Sequence, residues 1–151
     1  MRTLANADDA QLIVERLNTV RPDDAGRWGR MNSHQMLRHL AGSMRVPLGE
    51  IKVSDAEVRH LQRVVLKWAA LYVPLKWRPN FPTRPEIDQC SLNPHLDDFE
   101  ADQRTATVLS HRLREAELEG KRHSYFGALT RADWLRWGWL HADHHLRQFG
   151  R

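Results

Sequence analysis

The sequence predicts an all-α protein, a bundle of helices built as one domain over residues 1–151. Two observations carry this. Several stretches place apolar residues three and four apart, the spacing of one helix face, and none alternates apolar and polar residues with the period of two that a half-buried strand needs. Most links between these stretches are short, which reads as neighbouring antiparallel helices. A chain of 151 residues can enclose a sizeable core, and its 41% apolar and 28% charged content is ordinary for a globular domain.

A first helix is expected over residues 8–20. Leu12, Ile13, Leu17 and Val20 recur at helical spacing, Asp8 and Asp9 suit the positive N-terminal end of the dipole, and Arg21-Pro22 stops it. A second is expected over 33–46, with Asn32 or Ser33 as N-cap. Met36, Leu37, Leu40, Ala41 and Met44 form its buried face, His39 lies beside Met36 and Leu40, and Pro47 and Gly49 end it.

The third helix, over 55–75, is the strongest periodic signal. Ser54-x-x-Glu57 has the form of a capping box, and Val58, Leu61, Val65, Trp68, Tyr72 and Leu75 then alternate by three and four as a seam. Leu66, Ala69, Ala70 and Val73 widen the apolar surface, and Pro74 kinks or ends the helix. So apolar a helix is either central to the bundle or shared with a second subunit, and a homodimer is expected.

Residues 77–94 contain Pro79, Pro82, Pro85 and Pro94 and read as an irregular crossing of the bundle end. A fourth helix follows over 97–118, with Phe99, Gln103, Ala106, Leu109 and Leu113 on one side and Gly120 closing it. A loop from Lys121 to Leu129 leads to the fifth helix, 131–149, capped by Thr130 with Asp133.

The fifth helix carries the chemistry. His141 and His145 are four apart and stack on one face, while Arg136, Asp143 and Arg147 fall on the opposite side and read as the solvent face. The two imidazoles therefore point inward, and an inward pair at this spacing can chelate a divalent ion. Trp134, Gly138 and Gln148 share their stripe, with Trp137 at its edge. Gly138 reads as room for the ion, and Gln148 as a group that orients a ligand or a bound water. His144 projects about 60–80° off the stripe and reads as flanking.

An open metal site commonly takes three protein ligands and leaves a position free. The third must come from elsewhere, and His39 is the best placed because it too lies on a buried helix face. His60 lies between seam positions, His111 sits beside Arg112 on a solvent side, and His95 belongs to the long irregular segment. Only neutral imidazole offers a lone pair, so affinity is expected to fall below a pH of about 6.5.

Other features narrow the classes. No apolar run approaches the roughly 20 residues of a membrane span. The start Met1-Arg-Thr-Leu-Ala-Asn-Ala-Asp-Asp is no secretory signal, and the single Cys90 forms no internal disulfide. A cytoplasmic location is expected. The net charge of +4 comes with arginines interleaved with acids, which reads as a solvated surface, so neither a nucleic-acid nor a membrane partner is expected.

Three pieces resemble a known family: Gln35-Met-Leu-Arg-His39-Leu, His123-Ser-Tyr-Phe-Gly127, and His141-Ala-Asp-His144-His145-Leu-Arg-Gln148-Phe-Gly. Together they resemble the DinB/YfiT-like superfamily of metalloenzymes, most closely an uncharacterised bacterial branch. The resemblance implies an up-down-down-up four-helix bundle, here with an additional helix. It implies a divalent ion, often nickel or zinc, held by one histidine of the second helix and two of the last, which match His39, His141 and His145. Characterised members include S-transferases that use bacillithiol, mycothiol or glutathione, and a maleylpyruvate isomerase. By that resemblance this chain is a metal-dependent transferase or hydrolase acting on a small-molecule substrate, with a low-molecular-weight thiol as a co-substrate. His123 and His144 are then the candidates for a general base. The chain departs from the family in its third helix and in reading His123-Ser124 where His-Pro is expected. The competing readings are a non-catalytic metal-binding bundle and a structural helical dimer whose histidines are ordinary core residues.

Overall fold

The computed structural model describes residues 1–92 and 98–151. The expectations for Pro94, His95 and a fourth helix starting at residue 97 lie outside the described residues. Six α-helices are present among them: α1 (Ala7–Asn18), α2 (Ser33–Arg45), α3 (His60–Tyr72), the short α4 (Gln89–Leu92), α5 (Phe99–Glu115) and α6 (Arg131–Gln148).

The helix starts follow the local chemistry of the chain. Asn6 accepts from the Asp9 N–H at 2.9 Å, Asn32 and Gln35 form a reciprocal capping box, and Thr130 and Asp133 form another. Helix α1 packs on α5 and α6, α2 packs on both as well, and α3 lies against α6. The apolar faces merge into one core reaching from Leu4 to Phe149. Ile13 and Leu17 come from α1, Leu37 and Leu40 from α2, Leu109 and Leu113 from α5, and Trp134 and Leu146 from α6. Each such side chain, fully buried, stabilises the fold by about 1.5–3 kcal/mol before its entropy cost.

The third helix differs most from expectation. It begins at His60, and the capping box from Ser54 does not form. The Arg63 guanidinium donates to the carbonyls of Val58, Ala56 and Ser124 at 3.1, 2.7 and 2.8 Å, while the Ala56 N–H donates to the Ser124 carbonyl at 3.0 Å. These bonds hold residues 54–59 in non-helical form, because carbonyls and N–H groups satisfied this way no longer need helical partners. The Ser54 N–H goes to Glu86 Oε1 at 2.9 Å. The far end stops at Tyr72, before Pro74, which disfavours helical backbone in the residue preceding it.

This helix is not central to the bundle. Leu71 is its one buried residue, and Leu61, Val65 and Trp68 are exposed. The inward face is instead polar: Lys67 bonds the buried Asp133 carboxylate of α6, and the hydroxyl of the partly exposed Tyr72 reaches round to the same carboxylate from the helix end.

The expectation of no strand is corrected by a minimal antiparallel hairpin, β1 (Arg122–His123) with β2 (Gly127–Ala128). Gly127 supplies the positive φ, 75°, at which the chain turns back. Two-residue strands are too short to show alternation.

The face of α6 read as solvent-facing is also partly covered. Asp143 meets Arg16 of α1 at 2.8 Å and Arg147 at 2.9 Å, and the Arg136 Nε donates to the Leu71 carbonyl at 2.9 Å. Charges satisfied in this way can border a helix contact. No helix of the described residues is long and apolar enough to cross a membrane.

Candidate metal centre

Helix α2 and helix α6 bring together the three histidines singled out in the sequence. His39 projects from α2, and His141 and His145 project one above the other from α6. Their ligand nitrogens all lie within 4.8 Å of one another. The Nε2 atoms of His39 and His141 are 3.2 Å apart. Two imidazole nitrogens on one ion at about 2.0–2.1 Å stand roughly 3–3.5 Å from each other, so this pair already has ligand spacing. The rings stand steeply to one another, at 70° for His39 and His141, 71° for His39 and His145, and 87° for His141 and His145. They converge without stacking.

The outer nitrogens fix which tautomer is present. His39 Nδ1 lies 3.1 Å from the Ile87 carbonyl, which only accepts, so Nδ1 carries the proton and Nε2 keeps its lone pair. His145 Nδ1 lies 2.9 Å from Gln148 Oε1. The amide of Gln148 is oriented in turn by its nitrogen, which donates to the Trp28 carbonyl at 2.6 Å. The oxygen must therefore face His145, whose Nδ1 donates to it and whose Nε2 is left with the lone pair.

Burial also keeps the set neutral. His39 is pushed below the ordinary imidazole value by desolvation, partly offset by the Ile87 carbonyl. His141 is pushed well below it by desolvation and then by its histidine neighbours, and His145 by desolvation and then by His39. His39 and His145 are held with Nε2 lone pairs free, and the neutral His141 sets its Nε2 3.2 Å from that of His39; together the three rings form a donor set for a divalent ion. The fit rests on the chemistry of these residues.

Aromatic rings wall the site. Trp137 stacks on His141 with centroids 4.8 Å apart and planes 17° apart, and Trp77 stands 6.2 Å from the same ring. His39 and His145 are buried while His141 is half-buried, so the approach from solvent is at His141. His144 lies between Trp28 and Trp77, with centroids 5.6 and 6.1 Å away. Its Nδ1 is buried and has no hydrogen-bond partner among the described residues, and burial pushes its pKa to about 4. It is not among the converging ligands, in keeping with its position off the stripe.

His123, the other candidate base, stands elsewhere. It stacks on Phe126 at 4.3 Å and meets Trp137 at 5.4 Å, while its Nδ1 accepts from the Tyr125 N–H at 3.2 Å. The Trp137 ring, packed on both histidines, links it to His141. Desolvation and the Arg63 charge push its pKa to about 3.

Gly138 does not leave room for an ion. A Cβ there would stand 2.8 Å from Leu4 Cδ1 and 3.0 Å from Leu113 Cδ2, so it is the point where α6 meets core side chains. The residues that sequence reasoning missed are in the connections. The proline-rich segment does more than cross the bundle end, because it delivers the Ile87 carbonyl to His39 and Trp77 to His141. An isolated tryptophan beside a run of prolines was the only local sign.

Residues 2–151 match a family model described as Protein of unknown function (DUF1569). No curated protein and no solved structure matches the chain.

Proposed function

Because the chain belongs to the DUF1569 family, whose description assigns no reaction, we propose its function from the site: it binds one divalent ion through His39, His141 and His145 and acts on a small molecule at that ion. The single observation that carries this reading is the second layer of hydrogen bonds. The Ile87 carbonyl and the Gln148 amide each hold an imidazole in the tautomer that presents Nε2 inward. A core histidine with a merely structural role needs no such convergence of lone pairs.

A donor set of neutral imidazoles, without carboxylate or thiolate, suits borderline ions such as zinc or nickel better than magnesium or calcium, which prefer oxygen. The resemblance to the DinB/YfiT-like superfamily supports the same two metals, and an up-down-down-up arrangement of the long helices is part of the same proposal. Bound there, the ion would supply Lewis-acid activation of a nucleophile, thiol or water. The protein's own residues do the rest. Trp137 and Trp77 flank the half-buried His141 and keep bulk water from the other two rings. His144 Nδ1, buried and without a hydrogen-bond partner among the described residues, would hydrogen-bond a substrate atom or take its proton. Thiol-dependent group transfer and hydrolysis both fit this arrangement.

The experiment is elemental analysis of protein purified without a metal-affinity step, followed by assays of thiol consumption with electrophilic acceptors. About one zinc or nickel per chain is expected, with consumption lost after chelation and regained on adding the ion. Protein that stays metal-free when dialysed against zinc and nickel would overturn the reading.

A further inference from the structure

Helix α3 is amphipathic in the reverse sense. Leu61, Val64, Val65, Trp68 and Tyr72 lie within a stripe about 100° wide on the helix wheel, and it faces solvent. Their exposures are 78, 54, 63, 62 and 39%. The charged residues of the same helix point the other way and are spent on the protein's own chain. Arg63 holds three carbonyls, and Lys67 meets Asp133 at 3.0 Å.

We propose that this face is the interface with a second copy of the chain, the two α3 helices meeting along the seam Leu61, Val65, Trp68 and Tyr72. Three observations select that occupant. The spacing four, three, four is that of a seam between two helices, and in this register the flanking positions Gln62, Val64, Ala69 and Leu71 carry no charge. Two identical helices can therefore approach without like-charge repulsion. The area also suffices. At these exposures the five side chains present on the order of 600 Å² of mainly apolar surface, taking roughly 200 Å² for a fully exposed large side chain. A standard interface takes about 800 Å² from each partner, little more than half of it apolar. Finally, a membrane surface would be met by basic residues bordering the apolar stripe, whereas Arg63 and Lys67 are turned inward. None of the five stripe residues is among the three ligand histidines or the tryptophan rings beside them.

Light scattering and sedimentation equilibrium on the full chain test this. At tens of micromolar the wild type is expected at twice the 17.7 kDa chain mass. Val65→Glu is expected to run as a monomer with an unchanged far-ultraviolet circular dichroism spectrum. Trp68→Ala, a milder truncation at the centre of the stripe, is expected to weaken the dimer at least tenfold. Val108→Glu, at an exposed apolar position of α5, is expected to leave it intact. A wild type that is monomeric at these concentrations overturns the proposal. So does a dimer that survives both Val65→Glu and Trp68→Ala. A monomer that co-sediments with phosphatidylserine vesicles overturns it in favour of a membrane surface.

Discussion

Gln148 accepts the Nδ1 proton of His145 at 2.9 Å while its own amide nitrogen is tied to the Trp28 carbonyl at 2.6 Å. This chain of two bonds joins the loop before α2 to the last turn of α6. It sets the direction of the amide and, through it, the tautomer of a ligand. Gln148→Leu, of similar volume, should keep the fold but weaken zinc or nickel binding by about 10–100-fold. Gln148→Glu, which keeps an acceptor, should weaken it less. Calorimetric titration of metal-free protein reads both; equal affinities for wild type and Gln148→Leu would show that the amide does not position His145.

Individual His39→Ala, His141→Ala and His145→Ala variants should lose the ion, while His144→Ala should retain it near the wild-type stoichiometry. Metal content after dialysis is the measurement. Retention by His145→Ala together with loss from His144→Ala would reverse the helix phase assigned to the site.

Gly29 has φ +80°, and a Cβ there would stand 2.6 Å from Gln148 Nε2. Gly29→Ala should therefore cost about 1–2 kcal/mol of backbone strain and also displace the Gln148 amide, lowering metal affinity. Gly49 has the same φ with nothing within 4 Å of its Cβ, so Gly49→Ala should be strained without affecting the metal. Thermal melts and metal titrations on the two variants separate strain from displacement.

Gly138→Ala should gain nearly 1 kcal/mol of helix propensity and lose about 1–3 kcal/mol to overpacking against Leu4 and Leu113. A net destabilisation of roughly 1 kcal/mol is expected on those two figures, with metal stoichiometry unchanged. Denaturant unfolding and metal analysis decide it, since loss of the ion would restore the reading of Gly138 as space for a ligand.

The metal-free protein should lose stability as pH falls below 6.5. His123 is held near 3 in the fold against about 6.5 for an ordinary imidazole, so between those values the unfolded chain binds the extra proton. Stability then rises with pH across that window, by about 1.4 kcal/mol per pH unit for one such histidine. Melts in chelator at pH 7.5 and 5 should show the drop. The three ligand histidines are also depressed by burial, so metal retention should persist below the value of about 6.5 expected from ordinary imidazole. Release that tracks a midpoint at 6.5 would contradict their burial.

By itself the sequence determined what depends on near neighbours along the chain. Helix periodicity located the long helices, the Asn32-Ser33 pair and Thr130 marked two starts, and the four-residue spacing of His141 and His145 put both rings on one face, because these are consequences of near-neighbour chemistry and a 3.6-residue turn. It also singled out His39 and Gln148 for the right neighbourhood. Only the tertiary structure decided the partners. Ile87 reaches His39 from 48 residues away and Trp28 reaches Gln148 from 120, and no local pattern encodes a backbone carbonyl at that distance. Helix α3 makes the same point in reverse. Its apolar stripe was legible, but which way it faced was not, because Arg63 and Lys67 found distant oxygens at Ser124 and Asp133 and turned the polar side inward. Periodicity states that a helix has two faces; the direction each one points is fixed by what the rest of the chain brings to it.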